Sequence, residues 1–116
     1  MSKTLFEKEK DLLNSSNYSK WYNKIYCLLE SKKLEKYIKS DYYKEIKAEV
    51  TADTKTNDDL TVAKESGGKA LSYIINSLSD EIYDLVDDIK SPYEMMKALK
   101  TEYDEIKNED LQRLYS

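Results

Sequence analysis

Residues 14–38 read NSSNYSKWYNKIYCLLESKKLEKYI, and the spacing of the apolar side chains in this stretch decides the fold. Tyr18, Trp21, Ile25 and Leu28 fall at i, i+3, i+7 and i+10, which places them on one face of an α-helix. Asn17, immediately before, is a residue type suited to the N-cap. A second stripe of Tyr22, Tyr26 and Leu29 runs beside the first, so the apolar band is wider than a helix resting on one side of a small core requires. The first stripe is expected to face the core. The second is a candidate assembly interface, or a second internal contact if the helix is sandwiched. The run SKKLEKYI adds a short turn of helix in which Leu34, Tyr37 and Ile38 fold back on the first.

Working outward, the pattern predicts a short helix from Tyr42 to Val50 and a polar loop around residues 51–58, where Thr, Asp and Asn crowd together. Leu60, Ala63, Gly67, Ala70 or Leu71, Ile74 and Leu78 then restore the 3.6-residue period over about five turns. Gly67 and Gly68 sit inside that helix at a cost of about 1 kcal/mol each relative to alanine, which predicts either a bend or another backbone packed close by. Ser79 is placed to cap the next segment, with Ile82, Leu85, Val86 and Ile89 on its inner face. Ser91, Pro92 and Glu94 form a capping box with proline at the first helical position. That helix continues through Met95, Met96, Leu99, Tyr103 and Ile106. Asn108 looks like a fresh N-cap opening a further helix over 108–116.

The expected layout is an N-terminal arm or short helix over 1–13, one helical domain over 14–107, and the start of another helix. Its expected core comprises Tyr18, Trp21, Ile25, Leu28, Leu71, Ile74, Leu78, Ile82, Leu85, Met95, Leu99 and Tyr103. A chain of 116 residues fits a single domain. Two Gly and one Pro are too few for an all-β design, which needs a turn former every 8–12 residues or so. The fold class is therefore all-α, a compact orthogonal or mixed bundle of about five helices.

Composition also narrows the chemistry. The net charge of -4 arises from 19 basic and 23 acidic residues scattered along the chain. No basic block is dense enough to follow a phosphate backbone, so nucleic-acid binding by this segment is not expected. There is no histidine and only one cysteine, Cys27, which rules out an internal disulfide and a His/Cys zinc site. Cys27 reads as a small, half-buried helix residue, since nothing nearby in sequence would make its thiol reactive. No run of 18 apolar residues occurs, and the N-terminus lacks the features of a signal peptide, so an intracellular protein without a membrane segment is expected.

Three further chemistries can be weighed. Asp80, Glu81, Asp84, Asp87 and Asp88 are the densest acidic cluster, but the helical spacing of Asp80, Asp84, Asp87 and Asp88 opposite Ile82, Leu85 and Ile89 reads as a solvated face in preference to a cation site. Serine nucleophiles lack the usual histidine base, and no G-x-S-x-G or S-x-x-K constellation is present, so no enzyme and no cofactor are expected. The eleven tyrosines fall mostly on the leucine and isoleucine stripes, which suits packing and protein contacts better than base stacking.

The order of these features resembles the Gag proteins of copia-type long-terminal-repeat retrotransposons. LLNSSNYSKWYNKIYCLLESKKLEKYI is similar to the opening of such proteins: a Leu, a small polar turn, Asn-Tyr, Trp three residues after the Tyr, and an apolar helix followed by a short L-x-x-h-h. AKESGGKALSYIINSLSDEIYDLVDDIKSPYEMMKALKTEYDE resembles the alanine-containing helix, the I-x-x-S-L-S-D-E junction and the closing E-x-h-x-x-L-x-x-x-Y of that family. The family often has Gly in the turn held here by Asn14-Ser15-Ser16, and Ala and Trp where this chain has Pro92 and Met96. The resemblance implies a fold like the N-terminal domain of a retroviral capsid, with Tyr18 and Trp21 as the aromatic key of the first helix. It implies a cytoplasmic structural protein whose partners are other Gag copies, built into virus-like particles that enclose the element RNA. A truncated relic that binds intact Gag and inhibits assembly, or a general interaction module, would share the same features. These residues contain no C-x-x-C zinc knuckle and no Asp-Ser/Thr-Gly protease motif, so RNA packaging is not assigned to them.

Overall fold

The computed structural model describes residues 11–104 apart from residue 15. Residues 1–10 of the arm expected over 1–13, Ile106 and the helix opening at Asn108 lie outside the described residues. Six helices follow in order: α1 (Tyr18–Ser31), α2 (Lys36–Lys39), α3 (Tyr42–Thr51), α4 (Asn57–Asn76), α5 (Asp80–Val86) and α6 (Pro92–Tyr103). Among the described residues there is no strand, only one isolated parallel bridge between Leu13 and Leu78. The fold is all-α.

The core gathers Leu13, Trp21, Ile25 and Leu29 from the first quarter of the chain, Ala70, Ile74 and Leu78 from α4 and its exit, and Met95, Met96 and Leu99 from α6. Trp21, only 1% exposed, sits where these segments converge. Its indole Nε1 donates to the backbone oxygen of Ser77 at 3.1 Å and to the Ser77 hydroxyl at 2.9 Å. That hydroxyl in turn donates to the Ile74 carbonyl at 2.6 Å. Leu13 locks the same corner through its backbone, its N–H donating to Ser77 O at 2.8 Å and its carbonyl accepting from Ser79 N–H at 3.3 Å. Buried polar groups are costly unless paired, and here each finds a partner. Leu13 itself is fully buried, so the segment read as the end of an arm is part of the domain.

The end of α1 corrects one boundary between core and surface. Leu29, assigned to the outer stripe, is 0% exposed, while Leu28 is only partly buried at the core's edge. The two lie at roughly equal angles from the Tyr18–Trp21–Ile25 face, and the helix exit chooses between them. Lys33 adopts φ 60°, Leu34 N–H donates to Leu29 O at 2.8 Å, and Lys33 N–H donates to Glu30 O at 3.0 Å. This is a Schellman closure, whose hydrophobic contact brings Leu34 onto Leu29. The exit of α3 repeats it, with Asp53 at φ 67° and Thr54 N–H donating to Glu49 O at 2.9 Å.

A second correction falls on α5. Ile82 and Val86 are buried one turn apart, but Leu85, expected on the inner face, is 72% exposed. With only seven residues, α5 offers the core one narrow ridge at i, i+4. Leu85 lies beside that ridge, one turn from Glu81 and next to Asp84. Leu71 and Tyr103, like Leu28, are partly buried at the periphery of the core, and the expected core residues other than these three and Leu85 are enclosed.

The caps differ from expectation in kind as well. Asn17 occupies the N-cap of α1 without capping it by its side chain. Its Oδ1 accepts from Asn14 N–H at 2.9 Å and its Nδ2 donates to Leu12 O at 2.8 Å, so it holds the entering turn. Ser79 likewise makes no side-chain cap bond. Ser91 does, accepting from Glu94 N–H at 3.3 Å. A full capping box opens α4, where Thr56 accepts from Asp59 N–H and Asp59 accepts from Thr56 N–H. This starts the helix at Asn57 and confines the loop expected around 51–58 to residues 52–56.

Two stability measurements probe these devices. Trp21→Ala should lose about 3–5 kcal/mol in urea denaturation followed by far-ultraviolet circular dichroism. Trp21→Phe keeps most of the ring but removes the donor and should lose about 1–3 kcal/mol. A loss below about 1 kcal/mol for the alanine variant would refute the role of Trp21 as packing key. Lys33→Gly should move the other way, stabilising by about 0.5–1 kcal/mol, because glycine enters the left-handed region without the Cβ clash that lysine bears. No gain there would mean that the turn holds no strain.

Candidate interaction surfaces

The stripe read as an interface survives as two tyrosines, both half-buried. Tyr22 and Tyr26 stack with ring centroids 6.0 Å apart and planes at 28°. Tyr22 also meets Tyr18 at 5.9 Å, and Tyr18 meets Trp21 at 5.7 Å. A ladder of rings thus climbs from the buried indole to the surface. Tyr22 packs against the core cluster. At the outer end Lys39 Nζ lies 5.8 Å from the Tyr26 ring centroid, within range of a cation–π contact. Burial pushes the Tyr18 phenol far above its ordinary value, with the Asp104 carboxylate and Tyr22 adding to the shift. Tyr22 is raised by burial first and Tyr26 second, against the opposing charge of Lys39.

A second surface joins residues far apart in the sequence. Between α3, the middle of α4 and the entry to α6 runs a groove of about 660 Å³. Tyr37, Ala63 and Gly67, all buried, form its apolar base. A Cβ built on Gly67 would touch the Tyr37 ring at 3.6 Å, an ordinary contact, and one on Gly68 would meet nothing within 4 Å. The close backbone expected as one reason for the glycine pair is therefore not there: Gly67 meets only the Tyr37 side chain and Gly68 meets nothing. Tyr37 meets Tyr42 edge to face at 5.2 Å and 83°, and Lys36 Nζ lies 4.6 Å from the Tyr42 ring centroid. Lys44, Lys47, Lys64 and Lys90 line the groove, and all four are exposed. Asp41 is the one carboxylate in the lining among the described residues, and it accepts from Lys44 N–H at 3.3 Å as the cap of α3.

The third surface is the acidic one. Asp80, Glu81, Asp84, Asp87 and Asp88 are all exposed, and Glu81, Asp84 and Asp88, at i−4, i−1 and i+3, fall on the side of Leu85 instead of opposite it as expected. Among the described residues no group of three or more His, Cys, Asp or Glu side chains is placed to hold a metal ion. Cys27 is exposed where half-burial was expected. No helix of the described residues is long and apolar enough to cross a membrane.

The sequence reading missed the groove because its lysines are contributed one or two at a time by three elements, and a search for basic blocks sees only scattered charge. The available signal was Gly67-Gly68, two expensive residues in the middle of a helix, which marked the face left bare.

The tyrosine ladder makes a pH prediction. In the folded chain the Tyr18 phenol ionises well above the usual tyrosine value of about 10, whereas in the unfolded chain it ionises near that value. A raised folded value contributes stability that is fully present below about pH 10 and lost as pH rises toward the folded value. Urea midpoints should therefore fall steeply above about pH 10, and Tyr18→Phe should flatten that fall. An identical alkaline slope in the phenylalanine variant would show that another group carries it.

Comparison with models of protein families, with curated proteins and with solved structures returns no match for this chain.

Proposed function

We propose that this chain is the capsid-like amino-terminal domain of a copia-type Gag and that it works by self-association, many copies building a particle around the element RNA. One observation carries the reading. Within the two stretches that bear the resemblance, residues 12–38 and 63–105, the segments Leu13 to Trp21 and Ser77 to Asp80 lie more than fifty residues apart in sequence. They meet in one junction, with the Trp21 indole and the Leu13 backbone both bonded to Ser77. Residues whose order resembles a family's motifs are here the residues that tie the fold together. That supports reading them as a unit.

On this reading the function is contact, without catalysis or a cofactor, and it belongs in the cytoplasm where element RNA and Gag meet. RNA enclosure is a property of the assembled particle. The contact made by a single domain is weak, since two half-buried tyrosines fall far short of the 1,000 Å² or so of a stable interface.

Sedimentation velocity from micromolar to millimolar concentration tests the proposal. The chain should pass from monomer to reversible oligomers. Tyr26→Ser, which leaves the core untouched, should weaken association by about tenfold while the thermal melt stays unchanged. Tyr22→Ser should also lower stability, because Tyr22 packs against the core cluster. A chain that remains monomeric at millimolar concentration would refute self-association. Unchanged association in Tyr26→Ser would remove the ladder from the interface.

A further inference from the structure

The lysine groove and the acidic helix are complementary. Four lysines and one carboxylate line the groove, in a chain whose net charge is -4. Residues 80–88 hold five carboxylates and no basic side chain. The groove has an apolar base of Tyr37, Ala63 and Gly67 with no side chain filling it, while α5 carries Leu85, 72% exposed, among those carboxylates. An exposed apolar side chain has Glu81, Asp84 and Asp88 beside it, and an apolar hollow has lysines at its edge.

Gly68 gives an independent reason to expect an occupant. It costs α4 about 1 kcal/mol relative to alanine, yet its φ is not positive and nothing lies within 4 Å of where its Cβ would be. Neither backbone conformation nor internal packing requires glycine there. It lines the groove, and a bare backbone is what a visiting side chain needs for close approach.

Resting on the self-association reading, we infer that α5 of one copy docks in the lysine groove of a second copy, with Leu85 entering the apolar base and Glu81, Asp84 and Asp88 meeting Lys44, Lys47 and Lys64. Lys90 donates to Asp87 O of its own chain at 2.9 Å. A polyanion is the other chemistry that a groove of lysines and tyrosines suits, but the net negative charge of the chain opposes it and leaves Leu85 without a role. The docked helix supplies both halves of the match. Exposed charges at the rim mainly steer encounter and set specificity, and the buried Leu85 slows release. Because the pairing is between charges near solvent, salt screens it.

The test is sedimentation velocity on the full chain at low and high salt, with variants confined to exposed positions so that folding is preserved. Leu85→Asp and the pair Lys44→Glu/Lys64→Glu should each raise the dissociation constant about tenfold or more, with unchanged melting temperature. Gly68→Gln should raise the melting temperature, glutamine being the better helix former, and yet weaken association. The decisive arm is charge exchange. Asp84→Lys/Asp88→Lys should associate poorly alone, as should the groove pair, but an equimolar mixture of the two should recover association. Recovery supports the docking. Wild-type association that no groove or α5 variant alters would overturn the docking and leave self-association standing, whereas a chain that never associates would overturn both. Binding of a single-stranded RNA oligonucleotide that the groove variants abolish, with self-association untouched, would assign the groove to nucleic acid and overturn the docking.

Discussion

The indole N–H of Trp21 is the constraint on which the rest of the structure depends. A tryptophan can be enclosed completely only if its one polar atom finds an acceptor, and here the acceptors come from a single residue, Ser77, at the point where α4 ends. The end of a helix leaves carbonyl groups without partners inside the helix. The Trp21 indole and the Leu13 N–H satisfy the Ser77 carbonyl, while the Ser77 hydroxyl satisfies that of Ile74. One corner thereby solves two problems, a buried donor and a buried helix terminus. It fixes where α1 lies along α4 and where the chain must turn into α5. Ser77 is fully enclosed, so alanine there would leave the indole short of one acceptor with no water to replace it.

Much of this could be read in the sequence, and the failures have particular causes. The face of Tyr18, Trp21 and Ile25 was legible because three residues at helical spacing define a direction. The choice between Leu28 and Leu29 was not, because it was made by Lys33 in a left-handed turn, a conformation that lysine does not advertise. Leu85 was misread because periodicity assumes a helix long enough to need a wide stripe, and α5 has room for one ridge. The capping box at Thr56 went unread because Asp59 stands where the usual pattern has Glu or Gln. Its shorter side chain still reaches, and the two bonds that Thr56 donates to it hold the Asp59 carboxyl below its ordinary range, the bond from the Thr56 backbone contributing most and the one from its hydroxyl next.

The groove illustrates a different limit. Net charge and charge runs are properties of the chain, whereas a binding surface is a property of the fold. Lys44 and Lys47 lie one turn apart on α3, Lys64 comes from α4, and Lys90 from the link before α6. Packing α3 against α4 sums their potentials in one place while the molecule as a whole stays acidic. A local concentration of like charge can steer association in a way that net charge cannot.

The residues that hold the domain together, Trp21, Ile25, Ile74, Met95 and Leu99, are among the most completely enclosed, while on the proposed reading the contact surfaces set exposed lysines, carboxylates and Leu85 beside rings that reach the core, Tyr22 and Tyr37. Substitutions at the exposed positions can therefore tune association without threatening the core. On the proposed reading each contact is small, and small contacts suit assembly, because copies that dock wrongly must be able to leave. Strength then comes from repetition: once a copy is held at one contact, its second is made at high effective concentration, so a lattice of weak contacts can be stable as a whole while each remains reversible.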